Sequence, residues 1–255
     1  MLPTPSTTHV PYSRVYEPAE DSFLLVDTLS SPSETTFLST HFPFSSSPPL
    51  LLLEIGPGSG VVLAFLTAHS STIFSPQKQI FSLGIDINQF ACTSTNQTVQ
   101  LATSEHSLTS GHFLGTVQGD LTCSLRNNQV DVLVFNPPYV PTEEMPCLPL
   151  NLEQKSLSQK TTTTFEQDSA LLALSYAGGK DGMETTNKVI DSLPELLSER
   201  GVAYILLCAG NKPEEVKMRI RDSLGGGGIW SAETVGTSGR QAGWEKLQIV
   251  RIWRE

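Results

Sequence analysis

Asn136-Pro137-Pro138-Tyr139 is the stretch of this chain best equipped to do chemistry. Asn136 offers an acceptor and two donors, and Tyr139 offers a flat ring. Two consecutive prolines cannot donate backbone hydrogen bonds and each fixes its own φ, so the turn is rigid and its carbonyls stay bare. Such a turn can hold a planar amide or amine: carbonyls accept from the NH2 group while the ring covers one face. The plainer alternative is a Pro-Pro strand terminator with an incidental Asn. The run feeding the turn, Val130 to Phe135, is short, β-branched and aromatic, as a buried strand should be. The turn therefore stands at a strand's carboxyl end.

A second constellation is Glu54-x-Gly56-x-Gly58-x-Gly60, which follows the apolar run from Leu50 and precedes a helix-like stretch from Val61 to His69. Glycines permit positive φ and let a ligand approach the backbone, and the helix start adds unpaired N–H groups. A pyrophosphate-binding turn would need Gly-x-Gly-x-x-Gly. Read from Gly56 that register meets Val61, and read from Gly58 it meets Leu63, so neither fits. Glu54 would also point a carboxylate at the phosphate. A cationic ligand without phosphate suits the site, and S-adenosylmethionine, with its sulfonium and ammonium, is one.

Two further acids stand at strand ends. Ile80 to Asp86 is an apolar run closing on a carboxylate, which in a doubly wound sheet faces the crevice and can bind a ribose diol. His112 to Gln118 leads into Gly119-Asp120-Leu121, an adenine-edge acceptor beside an apolar wall. Each acid alone reads more simply as a solvated loop carboxylate; the order of the set is what argues for a site.

Taken together, these motifs resemble a class I S-adenosylmethionine-dependent methyltransferase, and the Asn-Pro-Pro-Tyr form resembles enzymes that methylate planar nitrogens. Val15-Tyr16-Glu17-Pro18-Ala19-Glu20-Asp21-Ser22-Phe23-Leu24-Leu25 is similar to the amino-terminal signature of the eukaryotic and archaeal HemK-like subfamily. Those enzymes methylate N5 of the glutamine in the Gly-Gly-Gln loop of class I release factors. The resemblance runs from about Val15 to Arg254 and is broken by inserts. It implies a Rossmann-like α/β fold: a seven-stranded, mostly parallel sheet with helices on both faces and a C-terminal antiparallel hairpin. It places Glu54 and Gly56 at the methionine end of the cofactor, Ser22 near its carboxylate, Asp86 on the ribose, and Asp120 and Leu121 at the adenine, with Gly58 also binding the cofactor. Asn136, Pro137, Pro138 and Tyr139 would bind the substrate, with Asn136 also bordering the cofactor and with Asn136, Pro137 and Tyr139 carrying catalysis. Ser22 stands where many members have Thr, which keeps the hydroxyl. Glu17, Glu20 and Asp21 read equally well as solvated acids at a helix start.

The elements that must position these residues alternate along the chain. Strands are expected at 50–56, 80–86, 112–118, 130–135 and 201–208, with a closing pair at 229–235 and 245–253. Helices are expected at 17–29, 61–69, 88–103 with Asn88 as N-cap, 168–176, from about 183 to 200 with a restart at Pro194, and 213–224. Residues 1–14 are expected to be a flexible terminus and 15–255 a single domain. Ser30 to Pro49, rich in Ser, Thr and Pro, reads as a loose loop insert, and 141–167 as a second insert with the polar tract Thr161–Thr164. The strand at 112–118 would be a sheet edge carrying Phe113, Leu114 and Val117. The resemblance implies its cover, a small zinc-binding activator subunit that adds a strand and makes a heterodimer; a short self-sufficient edge is the bland alternative.

Composition bounds the rest. In 255 residues, Asp and Glu number 26 against 16 Lys and Arg, a net charge of −10. Such a chain repels nucleic acid at long range, and its basic residues form no evident patch, so no direct nucleic-acid binding is expected. No apolar run is long enough for a membrane span, and the polar, proline-rich Met1 to Pro11 is not expected to be a signal peptide. Cys92, Cys123, Cys147 and Cys208 lack metal or disulfide spacing, and the histidines are isolated, so no metal site is expected. The expected compartment is the cytoplasm, with the nucleus as an alternative. Three classes stay in view: glutamine methylation of a release factor, N6-adenine or N2-guanine methylation of nucleic acid, and a non-catalytic cofactor-binding scaffold. Lysine methylation is a conceivable side activity.

Overall fold

Successive side chains of a strand point to opposite faces, and the apolar run beginning at Leu50 fills both. Leu50 and Leu52 enter one core layer with Leu63, Leu66 and Val99, while Leu53 and Ile55 enter a second with Val189, Leu193 and Ile220. This two-sided burial is why the run is continuous rather than alternating. The computed structural model of the chain describes residues 2–43, 48–146, 165–225, 229–239 and 246–255.

Among these residues seven strands form one sheet: β1 (Leu50–Ile55), β2 (Ile80–Asp86), β3 (His112–Gln118), β4 (Val130–Phe135), β5 (Leu197–Cys208), β6 (Trp230–Thr237) and β7 (Leu247–Arg254). Their order is β3-β2-β1-β4-β5-β7-β6. β1 through β5 pair in parallel, and β7 runs antiparallel to both β5 and β6. The order reverses between β1 and β4, so a crevice opens beyond their carboxyl ends.

Eight α-helices accompany the described strands: α1 (Glu20–Leu29), α2 (Pro32–His41), α3 (Val61–Ala68), α4 (Ser70–Ile73), α5 (Gln89–Glu105), α6 (Phe165–Tyr176), α7 (Glu184–Leu196) and α8 (Pro213–Ser223). Buried residues of α1, α2, α3 and α5 share the first core layer, and those of α7 and α8 the second. In α7 the buried set Thr186, Val189, Ile190, Leu193 and Leu196 keeps helical spacing, and the helix runs through Pro194 without the expected restart. Asn88 caps α5 by accepting from the Phe90 N–H at 2.9 Å, which fixes where that helix leaves β2.

Several expectations need correction. Residues 32–41 of the supposed loop insert form α2: Pro32 sits in its first turn and Ser31 accepts from the Glu34 N–H. The first helix begins at Glu20, three residues later than expected, because Ala19 is extended with φ −128°. β5 starts at Leu197 rather than Gly201, its extra residues taken up by an irregularity between Val130 and Val132 of its neighbour. The terminus expected to be flexible through residue 14 packs along its length: Leu2 lies against the first core layer, the Pro3 carbonyl accepts from His69 Nε2 at 3.0 Å, and Val10 and Val15 bury against Ala91. Most of the second expected insert, with Thr161–Thr164, lies outside the described residues, as does Cys147. No described helix is long and apolar enough to cross a membrane.

Candidate cofactor and substrate site

The carboxyl ends of β1, β2 and β4 and the loop after β3 open into one cavity of about 360 Å3. Glu54, Gly56, Gly58, Asp86, Asp120, Leu121, Asn136, Pro138 and Ser22 all line it, so the fold gathers residues spread across more than a hundred positions. Pro137 and Tyr139 are not in its lining. Pro137 is buried, and Tyr139 is half-buried with its side chain packed on the first core layer.

Glu54 lies on β1, paired on both sides within the sheet, and only 2% of its surface is exposed. Its Oε2 is buried without a hydrogen-bond partner among the described residues. Burial pushes its carboxyl up to about 8, a backbone hydrogen bond from Leu63 opposes the rise, and the Asp86 charge adds to it. The glycine turn that follows is held by α5. Thr95 Oγ1 donates to the Gly58 carbonyl at 3.1 Å and Thr98 Oγ1 to the Ser59 carbonyl at 2.6 Å. Gly60, at φ +79°, lies so close to α5 that an added Cβ would sit 2.6 Å from Thr95 Cα, so the packing itself demands glycine.

Asp86 ends β2 with both oxygens engaged by backbone: Oδ1 accepts from the Asn88 N–H at 2.8 Å and Oδ2 from the Gly58 N–H at 3.1 Å. Desolvation raises its carboxyl to about 6 against those two hydrogen bonds. These bonds orient the carboxylate and leave lone pairs for hydroxyl donors. Asp120 is exposed at the rim, and Leu121 packs against the second core layer. Leu121 adopts φ +49°, a left-handed conformation costly for a side-chain-bearing residue.

Asn136 donates from Nδ2 to Asp21 Oδ2 at 3.1 Å, while its own Oδ1 is buried with no partner among the described residues. Asp21 Oδ1 in turn accepts from the Ser22 N–H at 2.6 Å and the Ser22 hydroxyl at 3.2 Å. Of the three acids at the head of α1, Glu17 and Glu20 are exposed and Asp21 is buried. Behind the Pro-Pro turn, buried Asn211 donates to the carbonyls of Tyr139 at 3.2 Å and Asp181 at 3.1 Å. Val140 also bonds to the loop after α6, through Tyr176 O and the Gly178 N–H. The turn is thus fixed from below as well as by its own prolines.

Residues that sequence reasoning left out complete the walls. Arg14 and Tyr16 line the cavity from the amino-terminal segment, Leu171 and Leu174 from α6, and Thr185 and Lys188 from α7. Arg14 joins the first of these walls to α6 by an ion pair with Asp168 at 3.0 Å, and its carbonyl accepts from Asn88 Nδ2 at 2.8 Å. Of these wall residues, Tyr16 alone lies in the Val15–Leu25 segment whose pattern carried a sequence signal.

The strand ends thus present Glu54, Asp86 and Asp120, three carboxyl groups. A pyrophosphate would meet Asp86 and Asp120 as like charges, whereas a cationic nucleoside finds a Glu54 carboxyl oxygen with no partner among the described residues and the pre-oriented Asp86 carboxylate. With the reversed strand order beneath it, the site defines a Rossmann-like, S-adenosylmethionine-dependent methyltransferase.

No family model matches the chain. Over its full length it is 34% identical to the eRF1 methyltransferase catalytic subunit mtq2 of Schizosaccharomyces pombe, covering 96% of that protein. It is 31% identical to methyltransferase HEMK2 of Homo sapiens over 98% of this chain and 95% of that one. A release factor glutamine methyltransferase of Moorella thermoacetica is 25% identical over 151 residues, 59% of this chain and 43% of that one. The chain belongs to the HemK-like family of S-adenosylmethionine-dependent methyltransferases that includes mtq2 and HEMK2.

Proposed function

We propose that this chain is the catalytic subunit that methylates N5 of the glutamine in the Gly-Gly-Gln motif of a class I release factor. The observation that carries the reading is Asn136 Oδ1, a buried acceptor without a partner among the described residues, at the mouth of the Pro-Pro turn. A planar primary amide brings the N–H donors that such an acceptor takes. The name of mtq2, an eRF1 methyltransferase catalytic subunit, supports the same substrate, as does that of the bacterial glutamine methyltransferase.

The residues divide the work. Glu54 and Gly56 hold the methionine end of the cofactor, Asp86 the ribose, Asp120 and Leu121 the adenine, and Ser22 lies near the carboxylate. S-adenosylmethionine supplies an electrophilic methyl on a sulfonium that leaves as a neutral thioether. An amide nitrogen is a weak nucleophile because its lone pair is delocalised into the carbonyl. Asn136 Oδ1 and the Pro137 carbonyl accept its two N–H groups and favour the positive charge that grows on nitrogen. Tyr139, packed on the first core layer, supports the turn from behind. Orientation of this kind is worth roughly 7–11 kcal/mol in well-placed intramolecular reactions. The spent proton leaves to water.

β3 pairs with β2 alone among the described strands, and its Leu114 and Val117 are exposed. An apolar edge of this kind fits strand addition by the small zinc-binding activator subunit, giving a cytoplasmic heterodimer. Nucleic-acid methylation shares the Asn-Pro-Pro-Tyr turn but meets a chain of net charge −10. The test is transfer from labelled S-adenosylmethionine to a folded class I release factor, to DNA and to tRNA, with and without the activator. Label on the release factor is the expected result; label on nucleic acid alone overturns the proposal. Normal solubility, cofactor binding and turnover by the isolated chain would remove the activator from it.

A further inference from the structure

We infer that Asp21 is a positioning residue: it turns the Asn136 side chain so that Oδ1, and not Nδ2, faces the substrate. The inference rests on the reading of Asn136 as the acceptor for the substrate's N–H group. Asp21 is 4% exposed although it begins a helix. It does not serve as that helix's N-cap, which is Ala19 and makes no side-chain cap bond. Its Oδ1 is taken by the Ser22 N–H and hydroxyl, so the carboxylate has a fixed orientation of its own. The remaining oxygen, Oδ2, receives Asn136 Nδ2 at 3.1 Å, across 115 positions of sequence.

A carboxylate is acceptor-only, whereas a primary amide is an acceptor at one end and a donor at the other. A flipped Asn136 would set its oxygen against an oxygen of Asp21 and turn its NH2 toward the substrate's own NH2. Both contacts would then be repulsive. Asp21 therefore selects one of the two amide orientations, and the selected one leaves Oδ1 buried and unpartnered. The pair also sets specificity: the site takes a donor, such as an amide or amine N–H, and turns away a carboxylate of the same shape.

The test compares full-length wild type with Asp21→Ala, Asp21→Asn and Asn136→Ala. Two readouts are used: kinetics on whichever acceptor wild type methylates, and side-chain amide NMR of protein labelled with 15N at asparagine. The Asn136 NH2 signals are assigned by their loss in Asn136→Ala. Asp21→Ala should lower kcat by roughly ten- to a hundredfold, the weight of one charge-assisted hydrogen bond, with cofactor affinity within a few-fold. It should also shift the Asn136 NH2 signals. Asp21→Asn keeps the volume but only one acceptor; with Ser22 holding that oxygen, its NH2 would face Asn136 and favour the flipped amide, so its kcat should fall at least as far as in Asp21→Ala. Unchanged kcat in both aspartate variants, or unmoved Asn136 signals, overturns the inference. So does loss of cofactor affinity with kcat intact, which would make Asp21 a cofactor ligand. Shifted Asn136 signals alongside wild-type transfer to nucleic acid would sustain the positioning role and sink the release-factor reading.

Discussion

Glu34 and Glu54 are almost equally buried, at 3% and 2% exposure, yet the chain treats them in opposite ways. Glu34 on α2 accepts from the Tyr204 hydroxyl at 2.9 Å and twice from Arg251, at 2.9 Å each. That arginine also bonds Glu233 and lies 3.6 Å over the Phe37 ring. Glu54 on β1 keeps one oxygen without a partner among the described residues and is pushed up to about 8 by burial. The two ends of the sheet repeat the contrast. Asp131, near the start of β4, is filled by the Leu51 N–H, the Ser198 hydroxyl and Arg200. Asp86, at the end of β2, is held among the described residues by two backbone N–H groups and faces the cavity. A carboxyl group that serves the fold has its lone pairs satisfied by the chain's own donors. One that serves a ligand is oriented but left incomplete, and leaving a buried polar atom incomplete costs about 1–3 kcal/mol in the protein alone.

The contrast can be broken at either end. The largest effect should come from Glu34→Ala, which leaves Arg251 buried without its main partner and lowers stability by about 3–5 kcal/mol. Denaturant unfolding would show it, while turnover per folded molecule stays unchanged; a small loss would mean the cluster is not structural. Asn136→Ala should do the reverse, with transfer falling roughly a hundred- to a thousandfold and cofactor affinity held within a few-fold. A large affinity loss would give Asn136 a structural role instead. Asp86→Ala should weaken cofactor binding by roughly ten- to a hundredfold, matching charge-assisted bonds of about 1.5–3 kcal/mol. Unchanged affinity would contradict the assignment of the β2 end to the ribose.

A pH experiment sharpens the same contrast. In the protein alone the Glu54 carboxyl holds its proton up to about pH 8, and a bound ammonium favours the carboxylate. Cofactor affinity should therefore climb with pH, by up to about tenfold per unit, and level off above that value. Calorimetry in buffers of different ionisation enthalpy would detect the released proton; a flat profile speaks against Glu54. The sign for folding is opposite. A carboxyl raised from 4.5 to about 8 favours the fold below 4.5, and that contribution is lost as pH rises through about 8. Tyr204→Phe should have the smallest effect, about 1 kcal/mol of stability, because Arg251 still satisfies Glu34.

Much of this was legible from local pattern. The apolar runs ending in Glu54, Asp86 and Asn136 mark β1, β2 and β4, and Asn88 announces the start of α5, because strand burial and capping are short-range effects. α2 also had a readable signal: Ser31-Pro32-Ser33-Glu34 is a cap, a helix-start proline and an acid at the third position. The density of Ser, Thr and Pro around it points toward a loop and conceals that pattern. Asp21 was not separable from Glu17 and Glu20, since its burial depends on Asn136, 115 positions away. The Glu34–Arg251 pair spans 217 positions and leaves no local trace.

The most direct test of the account is to find which atom receives the methyl group. Release factor incubated with the enzyme, the proposed activator subunit and S-adenosylmethionine would be digested and fragmented by mass spectrometry, with Asn136→Ala enzyme as control. The account predicts one methyl on the side-chain nitrogen of the Gly-Gly-Gln glutamine, absent from the control. A methyl on lysine alone, or the same glutamine methylated equally well by the Asn136→Ala enzyme, would contradict it.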